Sequence, residues 1–172
     1  AGAFIPVVLN LTAYDSDSLN MTPFLALIEN STANAILTTG LKISATNKIT
    51  AFYEIAASSS REIFSLKGGK SLGTNFYTPF QNSFNNAVTT PGSFSFIEIV
   101  ATEDNTTVLI TPRTAITGHA ANVTFSVVLD KGETYSARDV SSTAVTSLSG
   151  SIIASNKPVA VTVFSGALSN GG

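Results

Sequence analysis

The sequence predicts an all-β, mostly antiparallel chain of two tandem related β-sandwich lobes with an aromatic-rich connecting loop. Apolar and polar residues alternate with the period of two that places successive side chains on opposite faces of a strand. Turn-forming clusters recur at short intervals, and one short segment recurs near the end of the chain. No comparably long stretch carries a helical stripe.

The alternation is clearest in Ile49-Thr50-Ala51-Phe52-Tyr53-Glu54-Ile55, in Phe94-Ser95-Phe96-Ile97-Glu98-Ile99-Val100 and in Val123-Thr124-Phe125-Ser126-Val127-Val128-Leu129. Between these runs lie Lys67-Gly68-Gly69-Lys70, Thr90-Pro91-Gly92, Asp130-Lys131-Gly132-Glu133 and Ser155-Asn156-Lys157-Pro158. One hairpin is expected over Ile97 to Pro112, turning at Glu103-Asp104-Asn105, because short Asp and Asn side chains bond local backbone and tolerate left-handed geometry. A second is expected from Asn122 to Tyr135, turning at Asp130-Lys131-Gly132.

Leu41 to Ala51 aligns without gaps on Gly150 to Ala160, matching Ile, Ala, Asn, Lys and Ala. That match suggests a first lobe over 1–66, a connecting loop over 67–93 and a second lobe over 94–172. The loop carries Phe76, Tyr77, Phe80 and Phe84, which read as an ordered segment pinned by aromatics, since a disordered linker rarely holds so many rings. The closing Ser169-Asn170-Gly171-Gly172 suggests that more sequence follows.

At 172 residues the chain can bury a sizeable core. Only 12% of residues are charged, so the polar surface falls to 22 Ser, 22 Thr and 13 Asn, a skin common on secreted β proteins. A net charge of -2 supplies no basic footprint for nucleic acid. Without cysteine there is no disulfide or thiolate site, and the redox compartment is unreadable. Apolar stretches such as Ala3 to Leu9 and Val159 to Phe164 fall short of the ~18 residues of a membrane span. A soluble mature chain without a signal peptide is expected.

Family resemblance becomes specific from Ile63-Phe64-Ser65-Leu66-Lys67-Gly68 and Leu72-Gly73-Thr74-Asn75-Phe76-Tyr77-Thr78-Pro79-Phe80-Gln81 onward. It continues through Val100-Ala101-Thr102-Glu103-Asp104-Asn105-Thr106-Thr107-Val108, Leu129-Asp130-Lys131-Gly132-Glu133-Thr134-Tyr135 and Ser155-Asn156-Lys157-Pro158-Val159-Ala160-Val161. In this order the segments resemble the amino-terminal domain of IgGFc-binding proteins, over about Ile63 to Phe164. The resemblance implies an extracellular or cell-surface setting, as in secreted mucus proteins, invertebrate adhesive or matrix proteins and bacterial surface proteins. It brings no catalytic residues and no motif for Fc binding. Many members continue into a Gly-rich, Cys-containing segment, whereas this chain stops at Gly172.

Candidate chemistry is sparse. The single histidine, His119, sits in a loop without a nucleophile elbow, which reads as a turn hydrogen-bonder. Gly68-Gly69-Lys70-Ser71 imitates the end of a phosphate loop, but Phe64 stands where the leading Gly belongs. Asp15-Ser16-Asp17 lacks the remaining ligands of a calcium loop, and Glu103-Asp104-Asn105 reads as a turn rather than a cation site. Asn-x-Ser/Thr sequons stand at Asn10, Asn20, Asn30, Asn105 and Asn122; Asn105 is the best placed for a glycan on the hairpin reading. Phe76, Tyr77, Phe80 and Phe84 are weak binding candidates, with core or seam packing favoured for most and Tyr77 the best placed at the surface.

These residues point to an extracellular structural or adhesive module that acts by protein–protein or matrix assembly, without catalysis, cofactor, metal or membrane insertion. Its partners would be other protein modules or copies of itself. The alternative is a glycan- or protein-binding domain of a secreted or bacterial surface protein; a hydrolase has no residue constellation behind it.

Overall fold

The computed structural model describes residues 5–56, 61–89 and 92–169. Its strands are β1 (Ile36–Leu37), β2 (Ala51–Ala56), β3 (Arg61–Leu66), β4 (Gly73–Tyr77), β5 (Ser95–Ala101), β6 (Thr106–Thr111), β7 (Phe125–Leu129), β8 (Thr134–Arg138) and β9 (Ile152–Ser165). One short helix, α1 (Leu25–Ile28), follows a 3-10 turn over Thr22–Phe24. Seven strands form one antiparallel sheet in the order β1-β8-β5-β9-β6-β7, with β4 added to β9; β2 and β3 form a separate two-stranded ribbon. The all-β, antiparallel expectation therefore holds, but the described residues build one sheet and one ribbon rather than two sandwich lobes.

Neither expected hairpin forms. β5 pairs with β8 and β9, and β6 pairs with β7 and β9, so the arms on either side of Glu103-Asp104-Asn105 do not pair with each other. Val159 lies between Ala101 of β5 and Gly73 of β4, and Ala154 lies between Leu109 of β6 and Asn75 of β4. Since β4 occupies one side of β9, β5 and β6 share the other and run along it one after the other. β7 and β8 likewise run in sequence beside them, Thr106 facing Leu129 and Val100 facing Thr134. The 14-residue β9 offers registered partners to both arms, so the chain bends where a hairpin would reverse.

The β4–β9 register breaks between Gly73 and Asn75, at the level where β5 gives way to β6 along β9, and the two halves of the sheet enclose one core, as at the corners of orthogonal packings. The enclosed core takes Ile97, Ile99, Tyr135 and Ala137 from one half and Val108, Ile110, Leu129 and Ile153 from the other. Inward residues alternate along β5, where Ile97 and Ile99 are fully buried.

The two regions expected to lie outside the second lobe contribute to this sheet. β4, from the 67–93 stretch, pairs with β9, and β1, from the first stretch, pairs with β8. The copy of the internal repeat at Leu41 to Thr50 carries no strand, whereas the other copy lies within β9, its Asn156-Lys157-Pro158 forming the bend rather than a reversal. Residues 90 and 91 of the expected Thr90-Pro91-Gly92 turn lie outside the described residues, as do Asn170, Gly171 and Gly172.

Side chains lock the corner. Asp104 Oδ1 accepts from the Lys131 amide at 3.0 Å and Asp130 Oδ1 from the Asn105 amide at 2.9 Å, tying each bend to the other. Asn156 Oδ1 accepts from the Thr107 amide at 2.8 Å, the Thr102 hydroxyl donates to the Pro158 carbonyl at 2.6 Å, and Lys157 Nζ donates to the Asp104 carbonyl. Asn105 (φ 52°) and Gly132 (φ 85°) adopt the left-handed backbone that such bends require.

Asp130→Ala is expected to lower the unfolding free energy by about 1–2 kcal/mol, read as a lower urea midpoint with an unchanged slope. Asp130→Asn, which keeps an acceptor oxygen, should lose less. An unchanged midpoint in Asp130→Ala would show that the corner does not depend on this side chain.

Candidate binding surfaces

Three of the five stretches that carry the resemblance, 100–108, 129–135 and 155–161, meet at the corner, and several of their side chains bond one another's backbone. Glu133 Oε2 accepts from the Asp130 amide at 2.7 Å, and the Thr106 hydroxyl donates to the Glu103 carbonyl at 2.6 Å. These residues hold a shape. Glu103-Asp104-Asn105 is thus part of a bend, in keeping with the turn reading, and no cluster of three or more metal-ligating side chains occurs among the described residues.

The segment 21–40 runs as a strap along the β8 edge of the sheet, with Asn30 reaching over the outer face to Glu98 on β5. The Asn34 amide donates to the Ser136 carbonyl at 3.0 Å, and the Thr39 and Thr134 hydroxyls lie 2.8 Å apart. At Gly40 the strap meets the corner, where an added Cβ would stand 2.5 Å from the Gly132 carbonyl oxygen; only glycine permits that approach. Beneath the strap, Glu98 accepts from Asn30 Nδ2 at 2.6 Å and from the Ser136 hydroxyl at 2.6 Å. Burial pushes the Glu98 carboxyl up to about 7, against the lowering effect of the hydrogen bonds from Ser136 and Asn30. Asn30 Oδ1 is buried without a partner, and rotating the amide would present it to a protonated Glu98, which can donate. Glu98 had one sequence signal, a carboxylate inside an alternating strand.

The aromatic candidates separate. Phe76 and Phe80 pack against the core, Phe84 is 47% exposed and Tyr77 is 75% exposed. Four sequons, at Asn10, Asn20, Asn105 and Asn122, are exposed, whereas Asn30 is half-buried with its amide on Glu98. Asn105 belongs to the corner rather than to a hairpin tip, and its side chain is exposed there. The His119 ring stacks on Phe125 with centroids 3.4 Å apart, and its Nε2 lies 3.0 Å from Asn34 Oδ1, which also accepts from the Tyr135 hydroxyl at 2.7 Å. Asp15 and Asp17 each accept from the next backbone amide, and the 3-10 turn Gly69–Ser71 leads into β4 rather than a helix.

The β2–β3 ribbon is a surface that the sequence left inside a supposed lobe. One face carries Ala51, Tyr53 and Ile55 beside Leu66, Phe64 and Glu62; the other carries Phe52, Glu54 and Ala56 beside Ser65, Ile63 and Arg61. Tyr53 stacks on Phe64 with centroids 5.5 Å apart. Yet Phe52 is 61% and Ile63 67% exposed, and neither strand pairs with any strand of the main sheet. A lone two-stranded ribbon is marginal in water, since at least three strands or a packing partner are needed for independent stability.

A sheet that encloses one core, a side-chain-locked corner and an apolar ribbon that pairs with no other strand among the described residues define an antiparallel β scaffold. The family described as IgGFc binding protein matches residues 64–170, more than half of the chain, and the chain belongs to that family. No curated protein and no solved structure matches it. The match begins within β3, so the corner and the core fall inside it while β1 and β2 precede it. No helix among the described residues is long and apolar enough to cross a membrane.

Two outcomes are expected. Because the native Glu98 carboxyl holds its proton to about pH 7 while an unfolded one releases it near its ordinary 4.5, stability should fall as pH rises through that window. Glu98→Gln should remove that component, seen as a smaller difference between urea midpoints at pH 4.5 and pH 8; an identical difference in both proteins would refute the assignment. Phe76→Ala should cost about 3 kcal/mol in a denaturation series, whereas Tyr77→Ala should change little.

Proposed function

We propose that this domain is an extracellular, non-catalytic module that works by protein–protein contact and assembly, with the β2–β3 ribbon as its contact element. The observation that carries this reading is the ribbon itself: its strands pair only with each other among the described residues, and both faces expose large apolar side chains. Free strand edges accept further strands through backbone hydrogen bonds, and the flanking side chains select the partner. A second copy of the chain can supply such a strand, and addition would convert a marginal two-stranded element into a stable sheet. Membership of the family and the hydroxyl- and amide-rich surface support an extracellular setting.

Light scattering over a concentration series should show association of the wild-type chain, lost in the double variant Phe52→Lys, Ile63→Lys with the circular dichroism of the main sheet retained. A monodisperse monomer at every concentration would remove self-assembly. Native material should lose mass on deglycosylation. An unmodified mass would instead favour a bacterial surface setting.

A further inference from the structure

At the end of the sheet away from the corner, the segment leaving β6 and the 144–149 stretch ahead of β9 border an open cleft of about 540 Å³. That volume lies within the range of about 300–1,000 Å³ found for small-molecule sites, but such sites are mostly apolar. This one is polar. Among the described residues it carries a single charge, Arg113, surrounded by Asn82, Thr114, Thr146, Ser147 and Ser149, and no carboxylate.

Two features mark it as more than a surface dent. The Thr114 hydroxyl oxygen is shielded from solvent and has no hydrogen-bond partner, a state that costs free energy and calls for an explanation. Arg113 is anchored: its backbone amide donates to Ser151 Oγ at 2.9 Å and its Nη1 donates to Asn122 Oδ1 at 3.2 Å. That side-chain bond uses one of five guanidinium N–H donors, whose planar fork suits a carboxylate or sulfate.

We propose that this cleft binds an anionic saccharide, with Arg113 pairing with the acid group and Asn82, Thr146, Ser147 and Ser149 bonding the ring hydroxyls, while the Thr114 hydroxyl, shielded as it stands, would reach a ring hydroxyl by turning about χ1. One cation is too few for a polyphosphate or a nucleic-acid strand, and the hydroxyl and amide lining offers little to an apolar ligand. Val145, 81% exposed beside the cleft, supplies an apolar surface for the C–H face of a sugar ring. This site is separate from the ribbon and stands or falls without it.

The test uses the full chain produced without N-glycans, so that Asn122 is bare, with calorimetry and saturation-transfer spectroscopy on N-acetylneuraminate, glucuronate, glucose and inorganic sulfate. Both sugar acids should bind, with glucose and sulfate each about tenfold weaker or more. Arg113→Gln should weaken the sugar acids about tenfold or more, because a charge-assisted hydrogen bond is lost. Thr114→Val should weaken them less, and both variants should keep the wild-type circular dichroism. Ile63→Lys, which bears on association, should leave these affinities unchanged. Failure of both acids to bind, glucose binding as well as the acids, sulfate alone binding as tightly, or full affinity in Arg113→Gln would each overturn the proposal.

Discussion

The reciprocal clasp between the two bends, Asp104 to the Lys131 amide and Asp130 to the Asn105 amide, is the constraint on which the rest of this structure depends. Without it the link from β5 to β6 loses its side-chain tie to the link from β7 to β8, and a flatter sheet would leave one face of Ile97, Ile99, Val108 and Ile110 in water. With it, the two halves close on a core whose central residues are fully buried. The clasp is made of charge-bearing acceptors and backbone donors, which are stronger than neutral pairs and directional. It sets an angle that apolar packing, being non-directional, does not set by itself. The Asn156 amide and the Thr102 hydroxyl extend the same device to β9, so the neighbouring strands turn together.

How far this was legible in the sequence follows from what is local and what is not. The strands at 95–101 and 125–129 match the alternation, whereas the hairpin turns expected at Glu103-Asp104-Asn105 and Asp130-Lys131-Gly132 join strands that do not pair with each other. Whether the chain reverses or merely bends is a non-local matter, settled by a partner strand distant in sequence and long enough to pair with both arms. The repeat at Leu41 to Ala51 failed for the same reason, since a segment that looks like a strand needs a neighbour to become one. β4 was hidden because Gly73-Thr74-Asn75 reads as polar linker, yet Phe76 brings it to the core. Packing is the sequence expectation for most of the four rings, with Tyr77 the best surface candidate; Phe76 and Phe80 meet the core, while Tyr77, whose hydroxyl suits a boundary position, is exposed and Phe84 is partly so.

The candidate surfaces were less legible than the fold. Glu98 announced itself as a charge in a strand, but only the strap over it explains its raised proton affinity. Arg113 and Thr114 follow β6 in a segment with no sequence signature, and their cleft exists only because the 144–149 stretch returns beside them. The ribbon, conversely, was visible as alternating strand from Ile49 to Ile55, but its isolation was not. The main sheet closes on a core of its own, whereas the ribbon pairs with no other strand among the described residues, which separates a scaffold from an element that gains by contact.

The place of β9 in the sheet has a consequence for how the chain reaches this state. β9 lies between β5, β6 and β4, yet it is synthesised after every other strand. Phe76 must wait for Ile153 and Ile99 for Val161, while Ile36 finds its partner only at Tyr135. Nearly every ladder of the main sheet therefore closes a long loop, the arrangement that makes β proteins slow to fold. Until β9 emerges, β5 and β6 present apolar faces with one edge unoccupied, the form in which nascent β chains are prone to pair with the wrong neighbour. The Asp, Asn and Lys residues at the bends then carry a kinetic benefit as well, because they keep polar, charged breaks between apolar segments while the molecule waits for its middle strand.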